Sequence, residues 1–252
     1  NLSISEILFG KYQIQEISSS DGYILDKQTH SIEVETSNSP VELNITNKPQ
    51  KGILTLDKKG IMPIGIENVE KLGYEITQIK YGQSYLADSK WKLIAKEDIY
   101  SLDGKTLLIK KGEVADTIVT NSQGPVTSKA VPLGKYTLKE IDAPKAYLVD
   151  TSEYNIEFTS QSNELEFHQI IDSKLNNRKS FSLGMTKNFE ESKYFTNKKE
   201  AIFGLYNAED YSENGVDIKK DSLLDVVSFN PEGAENKVNN KFDKILIDGK
   251  FY

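Results

Sequence analysis

The sequence predicts an all-β protein made of tandem β-sandwich units, one complete and two partial. One observation is the alternation of hydrophobic and polar residues, for example at Tyr12 and Ile14 and again at Tyr136 and Leu138. Clusters of Gly, Asn, Asp, Ser and Pro separate these runs, which is typical of antiparallel strands joined by turns. The second observation is that similar segments recur about 120 residues apart, a spacing of independent domains rather than solenoid repeats.

Three pairs of similar segments define the predicted units. They are GKYQIQEISSSDGYILD (from Gly10) with GKYTLKEIDAPKAYLVD (from Gly134), WKLIAKEDI (from Trp91) with FGLYNAEDY (from Phe203), and NKPQKGILTLDK (from Asn47) with NNRKSFSLGMTK (from Asn176). We therefore expect unit boundaries near Pro49 and Arg178. Residues 1–48 are predicted to be the carboxy-terminal half of a first sandwich. Residues 49–178 are predicted to be a complete middle unit, and residues 179–252 the amino-terminal half of a third.

The predicted strands follow from alternation along the chain. They cover residues 12–16, 30–34, 41–45, 54–58, 136–140, 154–158 and 183–187. Residues 66–82 (IENVEKLGYEITQIKYG) are interpreted as a loop or short helix, although Gly73 and the β-branched residues weaken a helix there. The segment DSLLDVV around Leu223 fits either a helix or a strand.

Composition excludes several classes of protein. The 252 residues carry a net charge of −7, whereas a nucleic-acid-binding protein normally presents a basic face. No segment is long and apolar enough to predict a membrane span. The chain has no cysteine, which excludes disulfides and thiol catalysis. Because it opens NLSISE without Met, we expect an excerpt from a longer chain whose neighbouring domains are its partners.

Polar residues continue several alternating runs on the side that faces the core. Because side chains two apart in a strand share a face, these residues should point inward with the hydrophobic ones. They are Glu16, Asn47, Lys58, Glu140 and Lys187. Burying an unpaired Lys or Glu is costly, so each should neutralise, pair or react. The alternative is that they lie at strand ends and reach solvent, but their recurrence in duplicated units favours a shared site.

The order of these residues resembles a known family. The chain has Lys in a first strand, then Gly-x-Tyr-x-x-x-Glu followed by Ala-Pro and an aromatic residue, and finally Asn in a last strand. This order is similar to that of the collagen-adhesin B-type, or SpaA-type prealbumin-like, domains of Gram-positive adhesins and pilins. APKAY, from Ala143 to Tyr147, resembles their Ala-Pro-x-Gly-Tyr hairpin with Ala146 in place of Gly. In the first unit SSDGY keeps Gly22 and Tyr23 without the proline. The resemblance implies prealbumin-like, inverse immunoglobulin-type sandwiches.

The resemblance also implies a site. In this family Lys and Asn join in a spontaneous intramolecular isopeptide bond promoted by an acidic residue, which makes the protein a single-turnover system and not an enzyme. The matching residues of the middle unit are Lys58, Glu140 and Asn176. The Glu–Asn separation is 36 residues here against 31 in the first unit, so Asp172 is a rival acceptor and Asn177 a weaker one.

The partial units match the same pattern in part. In the first unit Glu16 corresponds to the promoting acid and Asn47 to the acceptor, and in the third unit Lys187 corresponds to the nucleophile. Each of these units therefore carries only some of the residues that the resemblance assigns to the bond.

Two functional hypotheses follow from the resemblance. The first is a structural stalk or adhesin repeat of a cell-wall-anchored surface protein or pilin, extracellular and cross-linked in its middle unit. The alternative is a module of the same fold that binds host extracellular matrix or carbohydrate without a cross-link, with Tyr74, Tyr81 and Tyr85 as its candidate surface. No cofactor is expected, and His30 and His168 have no ligand spacing around them, so no metal is expected either.

Overall fold

A computed structural model describes residues 7–35, 41–184, 201–229 and 241–245, and every regular element in these ranges is a β-strand. The first ten strands are β1 (Gly10–Gln15), β2 (Thr29–Val34), β3 (Lys51–Lys71), β4 (Tyr74–Tyr85), β5 (Lys90–Ala95), β6 (Ile99–Tyr100), β7 (Leu107–Ile109), β8 (Val114–Val119), β9 (Val126–Thr127) and β10 (Val131–Pro132). The remaining strands are β11 (Gly134–Asp142), β12 (Glu153–Phe158), β13 (Phe167–Asn176), β14 (Ser180–Gly184), β15 (Ala201–Tyr206), β16 (Tyr211–Glu213), β17 (Val216–Ile218), β18 (Leu223–Phe229) and β19 (Lys241–Ile245). The all-β prediction is confirmed.

The middle part of the chain is a sandwich of two sheets. One sheet has the order β10-β3-β13, with β4 and β9 also paired to β3, and the other has the order β12-β11-β5-β8. Alternate residues of β3, β5, β11 and β12 point between the sheets and are buried, as their period of two predicts. The core is formed mainly by Leu54, Leu56, Trp91, Leu93, Tyr136, Leu138, Ile156 and Phe158.

The first and last strands of this sandwich, β3 and β13, lie side by side and parallel. Their register places Lys174 opposite Lys58 and Asn176 opposite Gly60. All other pairings in the two sheets are antiparallel. Residues far apart in the chain are therefore neighbours at the end of β13, where the predicted site lies.

The prediction of a loop or short helix at residues 66–82 is wrong. This segment belongs to a long hairpin in which β3 and β4 pair from Lys59 opposite Tyr85 to Lys71 opposite Tyr74, with one register shift between Pro63 and Gly65. Its two-residue turn uses Leu72 and Gly73, both with positive φ, which is the backbone that tight hairpins require. The glycine that weakened a helix is thus the turn residue of a hairpin, and the β-branched residues on either side favour strands.

A second difference concerns residues 41–45, where alternation predicted a strand. Residues 41–48 form no regular strand, and Val41, Leu43 and Ile45 are each at least one-third exposed. Alternation alone does not make a strand, because the backbone also needs a neighbouring strand to pair with. Within the described residues no strand pairs with this segment.

The outer parts of the chain form smaller sheets. In the first part β1 pairs with β2, and in the third part β14 pairs with β19, β15 with β18 and β16 with β17. The ambiguous segment around Leu223 is therefore strand β18. Isolated bridges join Tyr23 to Pro49 and Tyr147 to Arg178, at matching positions of the two repeats. The division into units at 48 and 178 stays a prediction, and Lys187 lies outside the described residues. No helix capable of crossing a membrane occurs in the described ranges.

Candidate cross-link site

Three of the predicted residues meet at one end of the middle sandwich. The Nζ of Lys58 on β3 donates to Oδ1 of Asn176 at 2.5 Å and lies 3.5 Å from Oε1 of Glu140. The Nδ2 of Asn176 donates to Oε1 and Oε2 of Glu140 at 2.8 and 3.0 Å. Each side chain thus contacts the other two, although Lys58 and Asn176 are 118 residues apart in the chain.

Local structure explains how each side chain reaches this position. Lys58 continues the inward-facing side of β3 after Leu54 and Leu56. Glu140 continues the inward-facing side of β11 and borders a register shift, or bulge, in the pairing of β11 with β5. Asn176 is the last residue of β13, two residues beyond Lys174, which lies opposite Lys58 on the parallel strand.

The three side chains are removed from water. The exposed fractions are 1% for Lys58 and 2% for both Glu140 and Asn176. Burial lowers the pKa of Lys58, because its ammonium form loses hydration, and the nearby Glu140 carboxylate opposes this shift. The indole ring of Trp91 lies 4.8 Å from the Nζ of Lys58 and forms one wall of the site. The fold therefore favours the uncharged amine more than water does.

Glu140 is held by groups that the sequence analysis did not identify. Ser89 Oγ donates to its Oε1 at 2.5 Å, and the backbone N–H of Asp150 donates to its Oε2 at 2.5 Å. The indole N–H of Trp91 in turn donates to Ser89 Oγ at 2.7 Å. Ser89 is fully buried. A sequence signal was present, since Ser89 lies two residues before Trp91 and so points to the same side as the buried residues of β5.

The rival acceptors lie elsewhere. Asp172 is opposite Leu56 in the register, and its carboxylate accepts a hydrogen bond from Lys174 at 2.7 Å. Asn177 is exposed. The structure thus places Asn176, and neither rival, against the amine of Lys58.

The first part of the chain contains a second arrangement of the same kind. Glu16 Oε2 accepts hydrogen bonds from Asn47 Nδ2 at 2.6 Å and from the backbone N–H of Asp26 at 2.7 Å. These contacts reproduce those that Glu140 makes with Asn176 and with the backbone of Asp150. Glu16 and Asn47 are half-buried, whereas their counterparts in the middle unit are buried.

A comparison with known protein families identifies the fold. The family described as SpaA, prealbumin-like fold domain, matches residues 1–49 and 74–171, which is more than half of the chain. The chain belongs to this family. The resemblance inferred from the Gly-x-Tyr-x-x-x-Glu motif is confirmed, and the chain is a prealbumin-like segment of the kind found in adhesins and pilins of Gram-positive bacteria.

Individual proteins are also similar to this prealbumin-like chain. The collagen adhesin of Staphylococcus aureus is 29% identical over 195 residues, which cover 73% of this chain and 15% of the adhesin. The chain therefore spans only a small part of that relative. The structure of the Bacillus anthracis TIE protein matches 94% of this chain and 35% of its own, with 21% identity and a TM-score of 0.56, which shows the fold alone. The structure of the shaft pilin SpaA from Lactobacillus rhamnosus GG matches 77% of this chain and 82% of the pilin chain, with 12% identity and a TM-score of 0.30.

The other candidate functional groups do not assemble into a site. Tyr81 is half-buried, and burial raises the pKa of its hydroxyl. His30 pairs with Asp26, and Nδ1 of His168 accepts the backbone N–H of Thr159. Among the residues that the structure describes, no group of three or more potential metal ligands is found.

Proposed function

We propose that this chain is a structural stalk segment of a Gram-positive surface protein or pilin, and that its middle unit forms an isopeptide bond between Lys58 and Asn176. The observation that carries the proposal is the buried contact of the Lys58 amine with the Asn176 carboxamide beside the Glu140 carboxyl group. In a polar cluster with only a structural role, the Lys58 amine would need neither a lowered pKa nor contact with the Asn176 amide.

Formation of the isopeptide bond needs no cofactor, because the side chains at the site supply and accept every proton. The Lys58 ammonium gives a proton to the Glu140 carboxylate, and the resulting amine attacks Cγ of Asn176. Glu140 then gives its proton to Nδ2 and takes the second proton from the attacking nitrogen, and Nδ2 departs as ammonia. The Cγ–Nδ2 bond is broken and a Cγ–Nζ bond is formed. Holding the reactants in contact removes most of the entropic barrier of an otherwise slow aminolysis.

The orientation of the carboxamide assigns the proton transfers. As oriented, Nδ2 of Asn176 faces Glu140, so the protonated acid delivers its proton to the leaving nitrogen. Rotating the carboxamide by half a turn about Cβ–Cγ puts Oδ1 on Glu140, where the protonated acid polarises the carbonyl group. Both roles need Glu140 to be held in place, which Ser89 and the backbone of Asp150 provide.

The proposed bond suits a load-bearing segment. It joins β3 to β13, the strands by which the chain enters and leaves the middle sandwich. Tension along the chain then passes from β3 to β13 through a covalent bond instead of through strand hydrogen bonds. Because Lys58 and Asn176 are far apart in sequence, the tie also constrains the unfolded chain, with a stabilisation of about 4–5 kcal/mol on the scale known for disulfides.

The same chemistry is proposed for the outer units. Glu16 and Asn47 are posed as an acid–acceptor pair for a lysine carried by a further strand, and Lys187 as the nucleophile of the third unit. The family assignment supports an extracellular, cell-wall-attached location, with neighbouring domains of a longer chain as partners. The collagen adhesin relative makes host extracellular matrix the candidate external partner.

Peptide mapping tests the position of the bond. We expect digestion of the purified protein to release a branched peptide in which Lys58 and Asn176 are linked, with the mass of one ammonia missing. A branch that instead contains Asp172 and lacks one water would reassign the acceptor, and recovery of only linear peptides would refute the cross-link.

A further inference from the structure

The β3–β4 hairpin extends beyond the sandwich to which it belongs. Pairing of β13 with β3 ends at Gly60, whereas pairing of β4 with β3 continues to Lys71. We call residues 62–82 of this hairpin the arm. A two-stranded hairpin is marginally stable by itself in water, so the arm needs another surface to pack on.

That surface is supplied by strands β16, β17 and β18 in the third part of the chain. Ile79 of the arm packs against a buried cluster formed by Tyr211, Ile218 and Leu224. Strands β4 and β18 lie in contact along this interface, and so do β3 and β17. The arm therefore contributes an apolar side chain to the core of the following unit.

Polar contacts tie both ends of the arm to the same unit. Near the tip, Lys71 Nζ donates to Oδ1 of Asp225 at 2.6 Å. Near the base, Nδ2 of Asn214 donates to the carbonyl oxygen of Pro63 at 2.9 Å. Asn214 and Gly215 form the turn between β16 and β17 and both have positive φ, so this turn has a defined shape that aims the amide at the arm.

The segment that connects the two units is fixed by an ion pair between a buried arginine and a half-buried glutamate. Arg178, whose side chain is 1% exposed, donates through both terminal nitrogens to the carboxylate of Glu213, with Nη1 2.9 Å from Oε1. The hydroxyl of Tyr211 donates to the same carboxylate. The ring of Tyr147 lies 5.0 Å from the guanidinium carbon, and its hydroxyl donates to the carbonyl oxygen of Ile61. A bidentate arginine–carboxylate pair of this kind holds one relative orientation.

We propose that the arm is a brace whose binding partner is the following sandwich unit of the same chain, so that the two units behave as one rigid body. The partner surface is an apolar patch flanked by the acids Asp225 and Glu213, which complement Lys71 and Arg178. Contacts at the tip, the base and the connection are spread over the interface and oppose both bending and rotation. This inference does not rest on the cross-link, because none of these contacts involves Lys58, Glu140 or Asn176.

Pulsed electron paramagnetic resonance tests the brace. The chain has no cysteine, so spin labels attached at Lys105→Cys in the middle unit and Lys220→Cys in the third are unique, and both positions are exposed. We expect a single narrow distance distribution in this labelled protein. Adding Ile79→Ser and Arg178→Gln should widen it roughly twofold or more, since units without a substantial interface move freely.

Two further single substitutions in the arm separate loss of the interface from loss of folding. Lys71→Gln removes only a surface contact of the arm, so the protein stays folded and an intermediate widening is expected. Glu67→Gln removes the ion pair with Lys80 on the arm without touching the third unit, and it should leave the distribution unchanged. A distribution that is already broad in the starting protein, or equally narrow in the Ile79→Ser, Arg178→Gln protein, overturns the proposal.

Discussion

Removing the proposed covalent tie without disturbing the packing should lower the melting temperature of the middle unit. The double substitution Lys58→Met, Glu140→Gln keeps side-chain volume, removes both buried charges and leaves Asn176 with an amide partner. The two residues that it disconnects, Lys58 and Asn176, are 118 positions apart. The chain-entropy relation for cross-links gives about 4–5 kcal/mol for a loop of this length.

For a unit of this size that loss corresponds to a decrease of about 15 °C in the melting temperature. Differential scanning calorimetry measures it directly, with Lys59→Met as the matched control. Lys59 neighbours Lys58 but points outward towards Asp57 and the ring of Tyr85, so its replacement should move the transition little. If the double variant melts within about 3 °C of the wild type, the tie contributes no measurable constraint and the reasoning fails.

Three further results are expected. Ser89→Ala should slow cross-link formation about tenfold, because a hydrogen bond that holds the promoting carboxyl group is lost, and a time course of intact mass after refolding measures this. Asp172→Ala should leave an ammonia-sized mass deficit, whereas Asn176→Ala should abolish it, as mass spectrometry of the two proteins will show. In Asn176→Ala the amine of Lys58 is free, and its pKa is lower in the folded protein than in the unfolded chain. Between that lowered pKa and 10.5 the unfolded chain therefore binds one more proton at Lys58 than the folded protein does. The free energy of unfolding of this variant, relative to wild type, should rise with pH across that window.

Each of these expectations has a contrary outcome. An unchanged rate in Ser89→Ala would remove that residue from the positioning of Glu140. An Asp172→Ala protein at its full sequence mass would make Asp172 the acceptor. Relative stability of Asn176→Ala that is flat across the stated pH window would show that Lys58 is not held as a neutral amine.

The period-two pattern was a good guide to the middle unit. Leu54, Leu56 and Leu138 are buried as alternation predicts, because a sandwich imposes one inward-facing side on every strand. The same reasoning placed Lys58 and Glu140 inside. Duplication of the motifs added the expectation of a shared site, which no single strand would have indicated.

Long-range pairing was beyond the reach of the sequence. The sequence does not reveal the arm as a hairpin, because the surface on which its Ile79 packs lies far along the chain, in β16, β17 and β18. The segment at 41–45 was misread for the opposite reason, since it has the pattern of a strand but no partner among the described strands. Ser89 was missed because its position before β5 shows only that its side chain points inward. Its role becomes clear only when its hydrogen bond to the carboxylate of Glu140 is known.

Intact mass spectrometry of the folded wild-type protein tests the central claim most directly. The account predicts a protein lighter than its sequence mass by one ammonia for the bond between Lys58 and Asn176. It also predicts that Glu140→Ala restores the full mass, because the acid that moves the protons is gone while the strands can still pair. A folded wild-type protein at its full sequence mass would contradict the account and leave a prealbumin-like spacer without a cross-link.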